Sequence, residues 1–189
     1  MLWSMLILAA ALAGKVPDDT ASHRAQDPHY FDPGTGYRFA RHWARVPSDI
    51  PGSAFRVDSE SARVLLEEGA LAIDVSATQS GVSDPLTGAW LTEPRESLPR
   101  AIWLPEVGWA HLEPERERFL IASLARLAPD PDRTILVFCI ADCWLSWNAA
   151  QRIAALGYRR VAWFADGVDG WREAGWPLIP VMPEPLPPE

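Results

Sequence analysis

Two cysteines, Cys139 and Cys143, stand four positions apart and are the only thiols in a chain of 189 residues. Three chemistries are open to such a pair. It can cycle between dithiol and disulfide, with Cys139 attacking and Cys143 resolving. Two thiolates at a helix start can grip Cu(I), given a histidine as a further ligand. Or both side chains serve as small buried hydrophobes. The four histidines, His23, His29, His42 and His111, have no recognisable spacing to the pair. No metal ligands and no cofactor are therefore assigned, and Cys-x-x-Cys-His, the covalent haem signature, does not occur.

The tract around the thiols decides how they are held. Ile135-Leu136-Val137-Phe138 reads as a buried strand, and Trp144 onward carries the three-and-four apolar spacing of a helix, closing at Gly157. The cysteines then lie in a strand-to-helix turn. Such a turn aims helix N–H groups at the loop and should lower a thiol pKa by favouring the thiolate. Ile140, Ala141, Asp142 and Trp144 are the candidates for contact with a substrate, with Trp144 shaping the pocket beside the sulfur. Asp142 is expected to cap the helix. Its charge opposes thiolate formation and repels an anionic sulfur donor. The remaining tryptophans, from a total of ten, are expected mainly in core and rim packing.

The rest of the chain must supply the frame. Residues 59–69 read as a helix that starts on capping serines and ends on Gly69, and residues 70–75 as a strand buried on both faces. Asp74 is expected to satisfy backbone groups at that strand's end. Residues 76–100 read as a polar loop, 101–104 as a short strand, and 115–127 as an amphipathic helix. A further strand at 161–164 leads to a turn and short helix from Asp166. Strands alternating with helices predict an α/β fold, a parallel sheet covered on both faces in three layers. Before this domain, assigned to 55–178, residues 14–54 read as an irregular arm that docks through Tyr30, Phe31, Tyr37, Phe39 and Trp43. After it, the proline-rich tail 179–189 is expected to join no sheet and to stay extended.

Hydrophobic residues make up 48% of the chain, enough for a core that needs no disulfide staple. A Cys139–Cys143 bond would close too small a ring to stabilise the fold much, so redox or metal chemistry explains it better. The net charge of −8 excludes a nucleic-acid surface. Residues 1–13 are apolar and end in Ala11-Leu12-Ala13, the pattern of a secretory signal peptide, although their n-region carries no Lys or Arg. Thirteen residues are too few for a bilayer span, which takes about 20. Export would put the thiols in an oxidising compartment.

From residue 55 to 178 the phrases resemble a rhodanese-like domain. They are Ala70 to Val75, a strand ending in aspartate; Arg100-Ala101-Ile102-Trp103-Leu104-Pro105; Leu156-Gly157-Tyr158; and Gly167-Val168-Asp169-Gly170-Trp171 through Gly175-Trp176-Pro177. The resemblance implies the rhodanese-like fold, with Cys139 in the place of the sulfurtransferase nucleophile. The loop departs from that family, since Ile140 to Leu145 contain neither Gly nor Arg. An arginine there would neutralise thiosulfate, so transfer from thiosulfate is expected to be poor. The wording Cys139-x-x-x-Cys143-Trp144-x-Ser146-Trp147-Asn148 is similar to a narrower exported group, named for PQQ-dependent catabolism and a Cys-x-x-Cys-Trp motif. That likeness implies a periplasmic accessory to PQQ-linked alcohol or aldehyde oxidation, with a quinoprotein dehydrogenase or redox protein as partner. It leaves the reaction itself open between thiol–disulfide exchange, sulfur transfer and non-catalytic copper or partner binding.

Overall fold

The computed structural model describes residues 28–39, 45–78, 82–83 and 90–186. The leader-like segment 1–13, Trp43, His23 and His42 lie outside the described residues. Five parallel strands form the main sheet in the order β1-β8-β7-β2-β6: β1 Phe55–Val57, β8 Val161–Phe164, β7 Ile135–Phe138, β2 Leu71–Asp74 and β6 Ile102–Trp103. Four helices cover it: α1 Ser59–Glu67, α2 Pro114–Leu127, α3 Trp144–Ala155 and α4 Gly167–Glu173. The α/β class read from the alternation of elements is the one observed.

Period-two alternation splits each central strand between two cores. Leu71, Ile73, Ile135, Val137, Val161 and Trp163 pack with Phe119, Leu120 and Leu124 of α2 and with Trp147, Ala150 and Ile153 of α3. On the other face Ala72, Leu136, Phe138, Ala162 and Phe164 meet Ala62 and Leu66 of α1 and Val168 and Trp171 of α4. A strand with both faces covered has no polar side, so β7 and β8 read as continuous apolar runs. Because all five strands point the same way, their carboxyl ends share one rim of the sheet. Cys139 is the first residue beyond β7 on that rim, where ligands of open α/β sheets bind.

Three expectations need correction. The cap of α1 is Asp58, not a serine: its carboxylate accepts from Ser61 N at 2.8 Å. The stretch 76–100 is not all loop, for Val82–Ser83 (β3) pairs with Trp90–Leu91 (β4) and Arg95–Ser97 (β5) is a strand. The tail does join a sheet, since Ile179–Val181 (β9) runs antiparallel to β5 with Pro180 opposite Glu96. A two-strand ribbon leaves each strand an outer edge, which tolerates a residue with no N–H to give. Beyond β9 the tail turns onto the open edge of β6: Glu184 N donates to Trp103 O at 2.8 Å, and Glu184 pairs with Arg126. Paired in this way, β6 is no template for another chain.

Within the arm, residues 28–39 are more ordered than their lack of periodicity suggests. Phe31 and Arg38 face each other in an antiparallel bridge, Asp32 N donates to Tyr37 O at 2.8 Å, and Phe39 N donates to Tyr30 O at 2.7 Å. The turn between is held by Asp32, whose carboxylate accepts from Gly34 N and Thr35 N at 2.9 and 2.6 Å. No helix among the described residues is long and apolar enough to cross a membrane.

Candidate functional site

Cys139 and Cys143 are both buried, at 2% and 3% exposure, and both are in the reduced, dithiol state. Burial, then the neighbouring Cys143, pushes the Cys139 thiol well above its ordinary pKa. That corrects the expectation of a lowered value: at this depth desolvation outweighs the helix terminus. Asp74 adds to the rise, while Ser76 acts against it.

The turn between the thiols is fastened from three sides. Val168 N of α4 donates to Cys139 O at 2.9 Å. Gly167 makes this approach possible, having φ +53°, and a Cβ there would sit 2.3 Å from Cys139 O. Ala141 N donates to Asp169 Oδ2 at 3.0 Å, and Asp169 is held in turn by Arg172 at 2.8 Å. On the arm side, Val46 N donates to Asp142 Oδ1 at 3.2 Å. Asp142 takes φ +52°, a left-handed conformation that aspartate tolerates better than most residues. It is therefore not the helix cap. Cys143 occupies that position with no side-chain capping bond, and the Asp142 carboxylate ties the turn to the arm instead.

The aromatic residues after the second thiol are buried as packing. Trp144 and Trp147 meet edge to face at 5.2 Å between ring centroids, and Phe31 of the arm stands edge-on to both, at 5.6 and 6.3 Å. The Arg38 guanidinium lies 4.6 Å from the Trp144 ring centre. Asn148, at 1% exposure, locks the arm in place: it accepts from Arg38 N and donates to Arg38 O and Gly108 O, each at 2.9 Å. Phe31, Val46, Trp144 and both cysteines belong to one packed cluster, so the arm is part of the wall around the thiols. Trp163 Nε1 donates to Ser146 Oγ at 3.1 Å, joining β8 to the start of α3.

The structure brings together Cys139, Cys143 and Trp144 in the core, with Ile140 and Ala141 half-buried and Asp142 exposed. It adds Ser76, Asp169, Val46 and Arg38, which sequence reasoning did not assign to the site. They come from other elements, and nothing in their local patterns pointed to the thiols. Asp74 does accept from Ser76 N, at 3.0 Å, as a strand-end residue should, and it also takes Ser97 Oγ at 2.7 Å and the guanidinium of Arg95. Arg152 spends its donors on the carbonyls of Val107, Trp109 and Ala110, away from the turn. Among the described residues no group of three or more His, Cys, Asp or Glu side chains is gathered as metal ligands would be. His111 lies on the arm side, beside Phe39 and Asp32.

No protein-family model matches the chain, and no curated protein matches it. Among solved structures it is similar to a thiosulfate sulfurtransferase from Pseudomonas aeruginosa, with 23% identity over 66% of this chain and a TM-score of 0.45. The chain spans only 20% of that protein. It is also similar to a polysulfide-sulfur transferase homodimer from Wolinella succinogenes, with 17% identity over 86% of this chain and 90% of the other, and a TM-score of 0.46.

Proposed function

We propose that the chain handles sulfur through its thiol pair, with Cys139 and Cys143 exchanging with a disulfide on a partner. The observation that carries this reading is the placement itself: two buried thiols at the two ends of one strand-to-helix turn, close enough for Cys143 to perturb Cys139. In one turnover Cys139 gives up its proton and its thiolate attacks one sulfur of the partner's disulfide. That S–S bond breaks, and the leaving sulfur departs as a thiolate that takes up a proton. The Cys143 thiolate, its own proton lost, then attacks the Cys139 sulfur, forming the intramolecular disulfide and releasing the second partner sulfur as a thiolate that is protonated in turn. The partner gains two thiols and this chain loses two. An anionic donor is a poor first substrate, because the Ala141 N–H is already taken by Asp169 and Asp142 adds a second carboxylate.

The setting we propose is the periplasm, in support of a PQQ-dependent oxidation system whose quinoprotein dehydrogenase or redox protein supplies the disulfide. Its support is in the sequence: the leader-like residues 1–13 and the Cys139-x-x-x-Cys143-Trp144 wording.

Intact mass of the protein purified without reductant tests the chemistry. A deficit of about 2 mass units against the reduced form is expected, the mark of an intramolecular disulfide. A gain of about 32 after thiosulfate would instead place a persulfide on Cys139 and replace exchange with sulfur transfer. Cys143→Ser should accumulate a mixed disulfide with the partner, and Cys139→Ser should not. Equal trapping in both variants would refute the assigned roles.

A further inference from the structure

Ser76 lies two residues past Asp74, where the chain leaving β2 runs beside the chain leaving β7, Asp74 being opposite Phe138. Its backbone is fixed at both ends. Ser76 N donates to Asp74 Oδ1 at 3.0 Å, and Ser76 O accepts from Trp103 Nε1 at 2.8 Å. The residue is 6% exposed, yet its hydroxyl has no hydrogen-bond partner, the single such buried side-chain oxygen or nitrogen among the described residues. Buried hydroxyls are nearly always bonded. An idle one beside a thiol points to a partner that arrives in another state of the site.

We infer that Ser76 is a positioning residue of the thiol site, whose hydroxyl is idle in the dithiol form and donates to the Cys139 sulfur once that sulfur carries negative charge. The inference rests on the exchange reading above. The groups that bear on Cys139 are Cys143 at the start of α3, Asp74 at the end of β2, and Ser76. Asp142 and Asp169 flank its turn. Burial, Cys143 and Asp74 all oppose a thiolate there, and Ser76 is the group that favours one. The attacking sulfur is thus kept protonated until a disulfide is at hand, and one O–H group stands ready for the charge that attack requires.

The test uses a Cys143→Ala background, so that Cys139 is the sole thiol. The rate of alkylation by iodoacetamide, an uncharged reagent, is followed against pH, with the unfolded protein as the reactivity reference. A hydrogen bond to a charged group is worth about one to two pKa units. Ser76→Ala should therefore raise the apparent pKa of Cys139 by about that much and slow alkylation at a fixed lower pH by roughly ten- to hundredfold. Ser76→Thr, which keeps the hydroxyl, should restore both. The thermal midpoint of Ser76→Ala should stay level or rise, because the hydroxyl it loses had no partner. An unmoved profile in a folded Ser76→Ala protein overturns the inference, as does an equal shift in the Ala and Thr variants. Alkylation needs no partner disulfide. A Ser76-dependent profile in a chain that never forms the Cys139–Cys143 disulfide would uphold the role of Ser76 and overturn the exchange reading.

Discussion

Replacing Phe31 with alanine should expose the thiols without unfolding the domain. Phe31 is 5% exposed and stands edge-on to Trp144 and Trp147, and it also lines an open pocket of about 360 Å³ formed by the arm. Removing the ring takes away the arm's edge-on contacts with Trp144 and Trp147. Truncating a buried Phe costs about 3–5 kcal/mol in a rigid core. Here the cost falls on the docking of the arm, a local opening, since the central sheet makes its own contacts. Taking the lower figure of about 3 kcal/mol, and a factor of ten for each 1.4 kcal/mol, the undocked population rises on the order of a hundredfold. The assay is the rate at which Cys139 and Cys143 react with a small uncharged disulfide, with far-ultraviolet dichroism to show that the sheet persists. A rise of roughly a hundredfold is expected, and Phe31→Leu should fall between. If thiol reactivity stays level while the global thermal midpoint drops, the arm is no wall to the site.

Two further expectations follow from the same turn. Gly167→Ala meets Cys139 O at 2.3 Å and carries φ +53°, whereas Gly175→Ala, at φ +78°, meets nothing within 4 Å. The first should lower the melting temperature by roughly 6–12 °C for a loss of about 3 kcal/mol, and the second by a third of that, measured by calorimetry. The raised pKa of Cys139 sets the sign of an alkaline effect. A thiol that holds its proton more tightly when folded adds stability below the unfolded thiol pKa, and that stability is lost as pH rises toward the folded value. Denaturant titrations of the reduced protein should therefore show stability falling above about pH 8.5, the ordinary thiol value, with a shallower slope in Cys139→Ala. Equal slopes would refute the raised pKa.

The frame of the fold was legible because burial on both faces writes itself as apolar runs. Residues 135–138 and 161–164 were bounded as strands from composition alone, and those are the observed bounds. The tail misled because proline argues against a central strand but not against a two-strand ribbon, and Pro180 sits in the ribbon. The order in the arm was hidden for a different reason. The bonds that dock it run to Asn148, about 110 positions along the chain, and no local period reports a contact of that range.

The site was legible in its thiols and not in its electrostatics. From the strand-to-helix turn one expects an anion cradle and a lowered thiol pKa, and both expectations follow from local backbone geometry. Tertiary contacts reverse them. Asp169, 28 residues further on, takes the Ala141 N–H that a donor anion would use, and Asp142 turns its carboxylate to the arm rather than to the helix. With the arm packed against Trp144, the sulfur sits in a desolvated pocket where charge is disfavoured. On the exchange reading proposed above, the Asp169 carboxylate in the turn disfavours thiosulfate and leaves a neutral S–S bond as the species able to approach. Asp169→Asn tests that step: the amide still accepts the Ala141 N–H but carries no charge. If charge repulsion is what excludes anions, thiosulfate should load sulfur onto Cys139 in this variant, seen as a gain of about 32 mass units. If a variant carrying Asp142→Asn as well is still as inert to thiosulfate as the parent chain, depth of burial rather than charge is what keeps the anion out.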